Sequence, residues 1–237
     1  MENWGIGSRS RALYIISGIA IVGALFMALV VAPTEQTMGH VQRIFYWHVA
    51  TAWVGFFAFF VTFVASILYL SSGRRQWDVL ALSSVEVGLT FSIIMTITGS
   101  IWAKPVWNTW WTWEPRLTSV TVMLLIYASY LVLRRVLDEP ARRARLAAVY
   151  GIAGFISVPI TFMAIRWWRT IHPLIFESQG FNLDSTMLIV LIFCVVAFTL
   201  FYAALLVLRC RLEFSADQVA ELKERLEEYR TRRGRRS

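Results

Sequence analysis

Six apolar stretches, each long enough to cross a membrane, constrain the fold of this chain more than any other feature. They are about 17–27 residues long, and a helix rising 1.5 Å per residue needs roughly 20 to cross a ~30 Å hydrocarbon core. Of the 237 residues, 57% are hydrophobic and only 16% are charged. The sequence therefore predicts an all-α integral membrane protein with six transmembrane helices, at Leu13–Ala32, Ile44–Leu70, Val79–Trp102, Leu117–Leu133, Leu146–Ile165 and Thr186–Leu208.

The first apolar stretch resembles a signal peptide, because Arg9 and Arg11 precede it. Its apolar run of about 20 residues is longer than the roughly 7–15 residues of a cleavable signal, so we interpret it as a retained anchor. In the fifth stretch, Pro159 predicts a kink, since proline removes a helical hydrogen bond.

The basic residues predict the orientation in the membrane. With six crossings both termini lie on one side, and that side carries 18 Lys and Arg residues against five on the other. The positive-inside rule places both termini in the cytoplasm. The net charge of +8 thus reflects topology and contact with membrane lipid. Nucleic acid is not an expected partner, because the basic residues are divided among loops.

The chain divides at the end of the sixth stretch into a membrane domain, residues 1–208, and a basic cytoplasmic tail, residues 209–237. Ser215 and Gln218 have the spacing of a capping box. They precede an apolar stripe among alternating charges, which predicts a short C-terminal amphipathic helix: Val219, Leu222, Leu226 and Tyr229. This helix would lie on the bundle or on lipid, or would bind a cytoplasmic partner.

Four of the 11 tryptophans fall within seven residues at the start of the segment Trp107–Thr118. Three of them and Glu114 recur at positions i, i+3, i+4 and i+7, which predicts one face of a short helix and a flat aromatic surface. Pro115 suits the first turn of the fourth helix, and Glu114 is either an electrostatic partner of that helix end or part of a ligand site. The four tryptophans are Trp107, Trp110, Trp111 and Trp113.

Two histidines flanked by aromatic residues and arginine lie on the same outer side as the tryptophans. His48 follows Arg-Ile-Phe-Tyr-Trp, and His172 follows Arg-Trp-Trp-Arg-Thr-Ile. Each alone is compatible with an ordinary interfacial residue. Together with the tryptophans they favour a site for a planar, anionic, iron-containing ligand. His40, in a polar loop without aromatic neighbours, is expected to be solvated.

Haem has the properties that such a site would match. Imidazole is the commonest protein donor to haem iron, so His48 and His172 are candidate axial ligands from opposite faces. The tryptophans would stack on the porphyrin, and basic residues would pair with its propionates. The sequence has no Cys-x-x-Cys-His, so any haem would be bound without a covalent link. Candidate propionate partners are Arg116, Lys104, Arg43, Arg166 and Arg169.

The segment Lys104–Thr118 resembles the tryptophan-rich WWD motif of the haem-handling proteins of cytochrome c maturation, and its Arg-Leu-Thr ending resembles the haem exporter protein C branch. The segments that end at His48 and His172 are similar to the two histidine motifs of that family. The resemblance covers about residues 11–208. Glu114 stands where the family usually has Asp, and Asn108 where it usually has Gly.

This resemblance implies a haem b bound transiently at the outer face of a bacterial cytoplasmic (inner) membrane, between the two histidines and the tryptophan motif. It implies transfer of that haem to the periplasmic haem chaperone CcmE. The implied partners are the ABC transporter subunits CcmA and CcmB and the small membrane helper CcmD. It implies handling and transfer of haem, with no enzymatic step.

Two other classes of protein remain open on the residues alone. A cytochrome b-type redox subunit would hold its ligand histidines inside the helices, whereas these lie at helix ends on one side. A haem-free transporter would use the tryptophans only as an interfacial belt. Glu86, the one acidic residue inside a predicted span, is expected to be a protonated or hydrogen-bonded structural residue.

Overall fold

A computed structural model of the chain describes residues 8–168, 176–177, 180–181 and 183–234. Its helices are α1 (Ser8–Phe26), α2 (Arg43–Ser72), α3 (Arg75–Trp107), α4 (Pro115–Val136), α5 (Pro140–Gly154), α6 (Ser157–Trp167) and α7 (Ser185–Gly234). A π-helical turn at Met27–Val31 extends α1, and a 3₁₀ turn at His40–Gln42 leads into α2. Two short antiparallel strands, β1 (Phe176–Glu177) and β2 (Gly180–Phe181), lie between α6 and α7.

The six predicted spans are confirmed within the described residues. Six helical segments there are long and apolar enough to cross a membrane, and α5 and α6 together make the fifth. The outward surface of α1 shows why: Ile15, Ile19 and Val22 are 63–68% exposed. Such a surface suits lipid and would be unfavourable in water.

Small residues bring α2 and α3 close together. A Cβ added at Gly55 would lie 2.5 Å from Ser92 Oγ, and one added at Gly88 would lie 2.7 Å from Ala58 Cβ. Small side chains let helix backbones approach closely, which is how membrane helices gain packing contacts without a hydrophobic driving force. This pair forms the centre of the bundle and fixes the position of α3 against the start of α2.

The fifth span is interrupted at Phe155 and Ile156, between α5 and α6. Pro159 explains the break, because it has no N–H to donate to the carbonyl of Phe155. The N–H of Val158 bonds that carbonyl instead, at 3.0 Å, in a tighter turn. The kink predicted from Pro159 is therefore confirmed, four residues before the proline.

The tail is helical, but it is not the separate short helix that the sequence predicts. α7 runs unbroken for 50 residues from Ser185 to Gly234, across the predicted boundary at residue 208. No proline or glycine interrupts it before Gly234, and the 2.6 Å ion pair between Arg209 and Glu213 supports the helix at that boundary. The side chains from 215 to 232 are all exposed, although Asp217 still pairs with Arg75 of α3 at 3.0 Å.

Buried ion pairs join the helices at the end of the bundle where α3 begins. Asp78 binds Arg134 of α4 through two bonds of 2.5 and 2.9 Å, and their side chains are 4% and 6% exposed. Arg75 also contacts Asp78. Glu86 accepts a 3.0 Å bond from Arg209 of α7, so it is a hydrogen-bonded structural residue, one of the two roles that its position suggested.

Candidate functional site

A cavity at the opposite end of the bundle gathers most of the predicted site residues. It lies where α3 ends and α4 begins, beside the first turns of α2, and encloses about 610 Å³ of empty space, part of it open to solvent. Six of the eight predicted residues line it: His48, Trp107, Trp110, Trp111, Glu114 and Arg116.

His48 is held in one tautomer by the backbone of α3. Its Nδ1 lies 3.0 Å from the carbonyl oxygen of Met95. A carbonyl only accepts, so Nδ1 must carry the proton in this bond, and in the neutral ring the lone pair is then on Nε2. A backbone carbonyl that fixes one imidazole nitrogen and leaves the other as the donor is the usual arrangement for a metal-binding histidine.

Gly99 allows the imidazole to lie against α3, and sequence reasoning missed this residue. A Cβ at position 99 would lie 2.8 Å from His48 Cε1 and 3.1 Å from Nδ1, too close for either atom to stay in place. Trp102, one turn further along α3, has its ring 6.1 Å from the imidazole. His48 can therefore lie in this position only because Gly99 has no side chain.

The tryptophan segment is not helical, so the prediction of a short helix with a flat aromatic face is wrong. α3 ends at Trp107, and Asn108 adopts a left-handed conformation with φ of 55°. That conformation ends a helix and favours Gly, with Asn next. The rings of Trp111 and Trp113 are inclined by 80°, so these two indoles do not share a plane.

The irregular segment separates the tryptophans into different roles. Trp107 packs edge-on against Trp102, with ring centroids 5.7 Å apart. Trp110 lines the cavity although it is 57% exposed. Trp113 is 73% exposed and is not among the lining residues, so of the four it has the weakest claim to the site.

Three polar groups in the cavity wall are buried without a hydrogen-bond partner among the described residues. They are Trp102 Nε1, Trp111 Nε1 and Thr112 Oγ1. An unsatisfied buried donor costs roughly 1–3 kcal/mol, and these three are available to a ligand in the cavity that accepts hydrogen bonds. Trp111 was predicted from the tryptophan motif. Trp102 ends the predicted third span and Thr112 lies inside the motif, but nothing in the sequence marked either as polar lining.

Arg116 ties α4 to α6 at the cavity wall. Its Nη1 donates to the carbonyl of Thr161 and, at 3.4 Å, to that of Phe162. Its guanidinium carbon lies 5.7 Å from the centre of the Phe56 ring. Arg116 is thus placed by the protein itself, with part of its donor capacity already used.

The other candidate cations are mostly engaged with backbone oxygens. Lys104 bonds the carbonyl of Asn108 at 3.2 Å and its side-chain oxygen at 3.1 Å, and Arg43 donates to the carbonyl of Leu29. Arg166 is exposed near the end of α6. Arg169 lies outside the described residues.

Glu114 occupies the N-cap position of α4, and Pro115 is in the first turn as predicted. The carbonyl of Glu114 accepts the N–H of Thr118 at 2.9 Å, while its side chain makes no capping bond. That side chain lines the cavity. The geometry therefore places Glu114 at the helix end and in the cavity wall together.

Of the two other histidines, only His40 lies among the described residues. His172 lies outside the described residues, so its role as a second ligand stays a prediction. His40 is exposed at the start of the 3₁₀ turn, which agrees with the solvated position expected for it. Both cysteines are free and buried on α7.

Comparison with known proteins identifies the family of this chain. A family model described as "Heme exporter protein C" matches residues 6–225. The relative of that name from Bradyrhizobium diazoefficiens is 35% identical over 193 residues, 81% of this chain and 73% of the relative. The one from Escherichia coli K12 is 31% identical over 182 residues, 76% of this chain and 73% of the relative.

A plant relative extends the same comparison. The "Putative cytochrome c biosynthesis ccmC-like mitochondrial protein" of Arabidopsis thaliana is 29% identical over 205 residues, which are 86% of this chain and 78% of the relative. The family match covers residues of all six membrane helices and of the cavity lined by Trp107, Trp110 and Trp111, which we call the tryptophan cavity. This chain therefore belongs to the haem exporter protein C family, a multi-pass membrane protein family of cytochrome c maturation.

Proposed function

We propose that this protein binds haem b at the tryptophan cavity, transiently and without a covalent link, and passes it on for cytochrome c assembly. The observation that carries the proposal is the histidine of the cavity. His48 donates its Nδ1 proton to Met95, so the lone pair on Nε2 is the donor that haem iron requires.

The cavity supplies two further requirements of haem. Trp107, Trp110 and Trp111 offer aromatic surface to the porphyrin, which is large and apolar. The unpartnered N–H groups of Trp102 and Trp111 and the hydroxyl of Thr112 are donors of the kind that propionate oxygens accept. Arg116 adds a positive charge at the same wall.

His172 is the proposed second axial ligand, from the segment that follows α6. The iron would then be held between His48, near the start of α2, and His172. Two ligands from separate segments suit a haem that must be released again, because moving one segment exposes the iron. The chain's role in this proposal is binding and transfer, with no bond-making residue and no enzymatic step.

The proposed recipient and complex follow from the family. The haem would pass to a periplasmic chaperone of the CcmE type, in a complex with the ABC transporter subunits CcmA and CcmB and the small helper CcmD. The distribution of 18 basic residues on one side and five on the other supports cytoplasmic termini, with the cavity facing the periplasm. The membrane is then the bacterial cytoplasmic (inner) membrane.

Absorption spectroscopy of the purified protein tests the haem ligands. His48→Ala and His172→Ala are each expected to shift the Soret band and to lower the haem retained per protein. His40→Ala is the matched control, because it removes an exposed imidazole outside the cavity. Unchanged spectra and haem content in both ligand variants would refute the axial assignment. The same variants, tested for cytochrome c formation in a deficient strain, show whether haem binding serves that pathway.

A further inference from the structure

A second cavity lies at the end of the bundle opposite His48. It encloses about 610 Å³ of empty space, part of it open to solvent, between the start of α3, the end of α4, the start of α5 and the part of α7 that follows the apolar stretch. Five arginines line it: Arg75, Arg134, Arg135, Arg143 and Arg209. Nothing in the proposed handling of haem uses this cavity.

Three of these arginines are neutralised by neighbouring carboxylates. Arg134 pairs with Asp78, Arg209 pairs with Glu86 and Glu213, and Arg75 pairs with Asp217 at 3.0 Å.

The other two arginines, Arg135 and Arg143, lack such a pairing among the described residues. Among the described residues no carboxylate lies within 4 Å of either guanidinium. Arg143 is half-buried on α5 and Arg135 is exposed at the end of α4. Two guanidinium groups at one cavity form a site with a preference for a doubly coordinated anion, and phosphate fits this geometry because arginine binds its oxygens in pairs.

An apolar groove adjoins the basic cavity and shares two of its residues, Glu86 and Arg209. The groove encloses about 560 Å³ between α3 and α7, and its remaining lining is mainly aliphatic and aromatic: Val87, Phe91, Leu205, Leu208 and Leu212. Leu208 and Leu212 are 46% and 56% exposed on the lipid-facing side. A free phosphate ion would make no use of this groove, whereas an acyl chain would.

We propose that the two adjoining cavities form a binding site for one anionic phospholipid. The phosphate contacts Arg135 and Arg143 in the basic cavity, and an acyl chain lies in the groove between α3 and α7. Basic pockets between membrane helices are suited to such headgroups, and the groove gives the apolar part of the lipid a defined place. The site holds α5 and α7 together through the lipid.

Native mass spectrometry of the full-length protein tests the site. The protein is titrated with dioleoyl phosphatidylglycerol and, separately, with dioleoyl phosphatidylcholine. We expect at least a tenfold preference for phosphatidylglycerol in the wild type. The R135Q/R143Q variant should reduce the preference to less than twofold. The matched control, R142Q/R145Q, removes two exposed arginines of α5 that do not line the cavity and should retain the preference.

Two further ligands separate a lipid from a free anion. Dihexanoyl phosphatidylglycerol, with short chains, should bind at least tenfold more weakly than the dioleoyl form, and millimolar inorganic phosphate should not displace the lipid. Equal retention of both dioleoyl lipids by the wild type, equal losses in the two double variants, or displacement by phosphate would each overturn the proposal. If R135Q/R143Q does not fold, R135K/R143K keeps the charges, removes the paired donors, and should still lose at least half of the preference.

Discussion

The two ends of the helix bundle use their polar side chains differently. Where α3 begins, Asp78 and Arg134 satisfy each other, and Glu86 meets Arg209. Where α3 ends, three buried donors in the cavity wall have no partner among the described residues, and His48 is held with its lone pair on Nε2. The ion pairs of the first end join helices, whereas the three unpartnered donors of the second end belong to residues that line a cavity.

This difference shows why charge alone is a poor guide to function in a membrane protein. The ionisable residues within the spans are the expected functional candidates, yet Asp78 and Glu86 join helices. The cavity at the other end is lined by indoles, hydroxyls and one imidazole, together with Glu114 and Arg116. Substitutions should therefore separate the two ends: one end should respond in stability and the other in ligand binding.

The largest effect is expected at the ion pair. Asp78→Asn leaves Arg134 buried without its carboxylate, and removing one partner of a buried pair costs roughly 3–5 kcal/mol. Thermal unfolding in detergent should show a large loss of stability or of folded protein. The double variant D78L/R134M, which removes both charges, should recover most of that loss. Equal instability in the single and double variants would contradict the pairing.

The next largest effect is expected at Gly99, where a substitution should lower haem affinity and leave the fold intact. Gly99→Ala places a methyl group against the imidazole of His48, so the histidine must move while the fold is kept. Displacing the support of a metal-ligating histidine lowers affinity by roughly 10–100-fold. Haem titration followed at the Soret band measures this. Gly18→Ala is the control, because its Cβ would contact nothing within 4 Å.

A smaller effect, of about tenfold in haem affinity, is expected from Trp111→Phe, since a hydrogen bond to a charged acceptor is worth roughly 1.5–3 kcal/mol. The same change should raise the thermal stability of the haem-free protein, because it removes a buried donor without a partner. Trp113→Phe, at an exposed position outside the lining, should change neither quantity. Weaker binding without any gain in stability would argue against an unsatisfied donor.

The smallest effect is expected at Asn108, where the backbone has φ of 55°. Asn108→Gly should be neutral or slightly stabilising, whereas Asn108→Ala should cost about 1 kcal/mol, since a residue with Cβ is disfavoured there. Differential scanning calorimetry can resolve a shift of a few degrees. A stable Ala variant would mean that the end of α3 does not depend on this position.

The membrane spans could be predicted from the sequence because hydrocarbon thickness fixes their length and composition. The conformation of the tryptophan segment could not, because the i, i+3, i+4, i+7 spacing is compatible with a helix without requiring one. Asn108 decides the matter by ending α3 in a left-handed conformation.

Contacts between residues far apart in the chain could not be predicted from the sequence either. The pair Asp78–Arg134 joins residues 56 positions apart, and Gly99 matters only because His48 lies against it. The predicted lining was recovered for His48, Trp107, Trp110, Trp111, Glu114 and Arg116, since a family motif places them. Trp113 was not recovered, because the irregular backbone turns it outward.

The unbroken course of α7 has a mechanical consequence. Its 50 residues make a rod of about 75 Å, more than twice the thickness of a ~30 Å hydrocarbon core. Its last residues, from 218 to 232, are exposed beyond the ion pair of Asp217 with Arg75, while its earlier part carries Phe198, whose ring packs 5.2 Å from that of Trp47, the neighbour of His48. One continuous helix therefore connects the exposed tail with the packing beside His48.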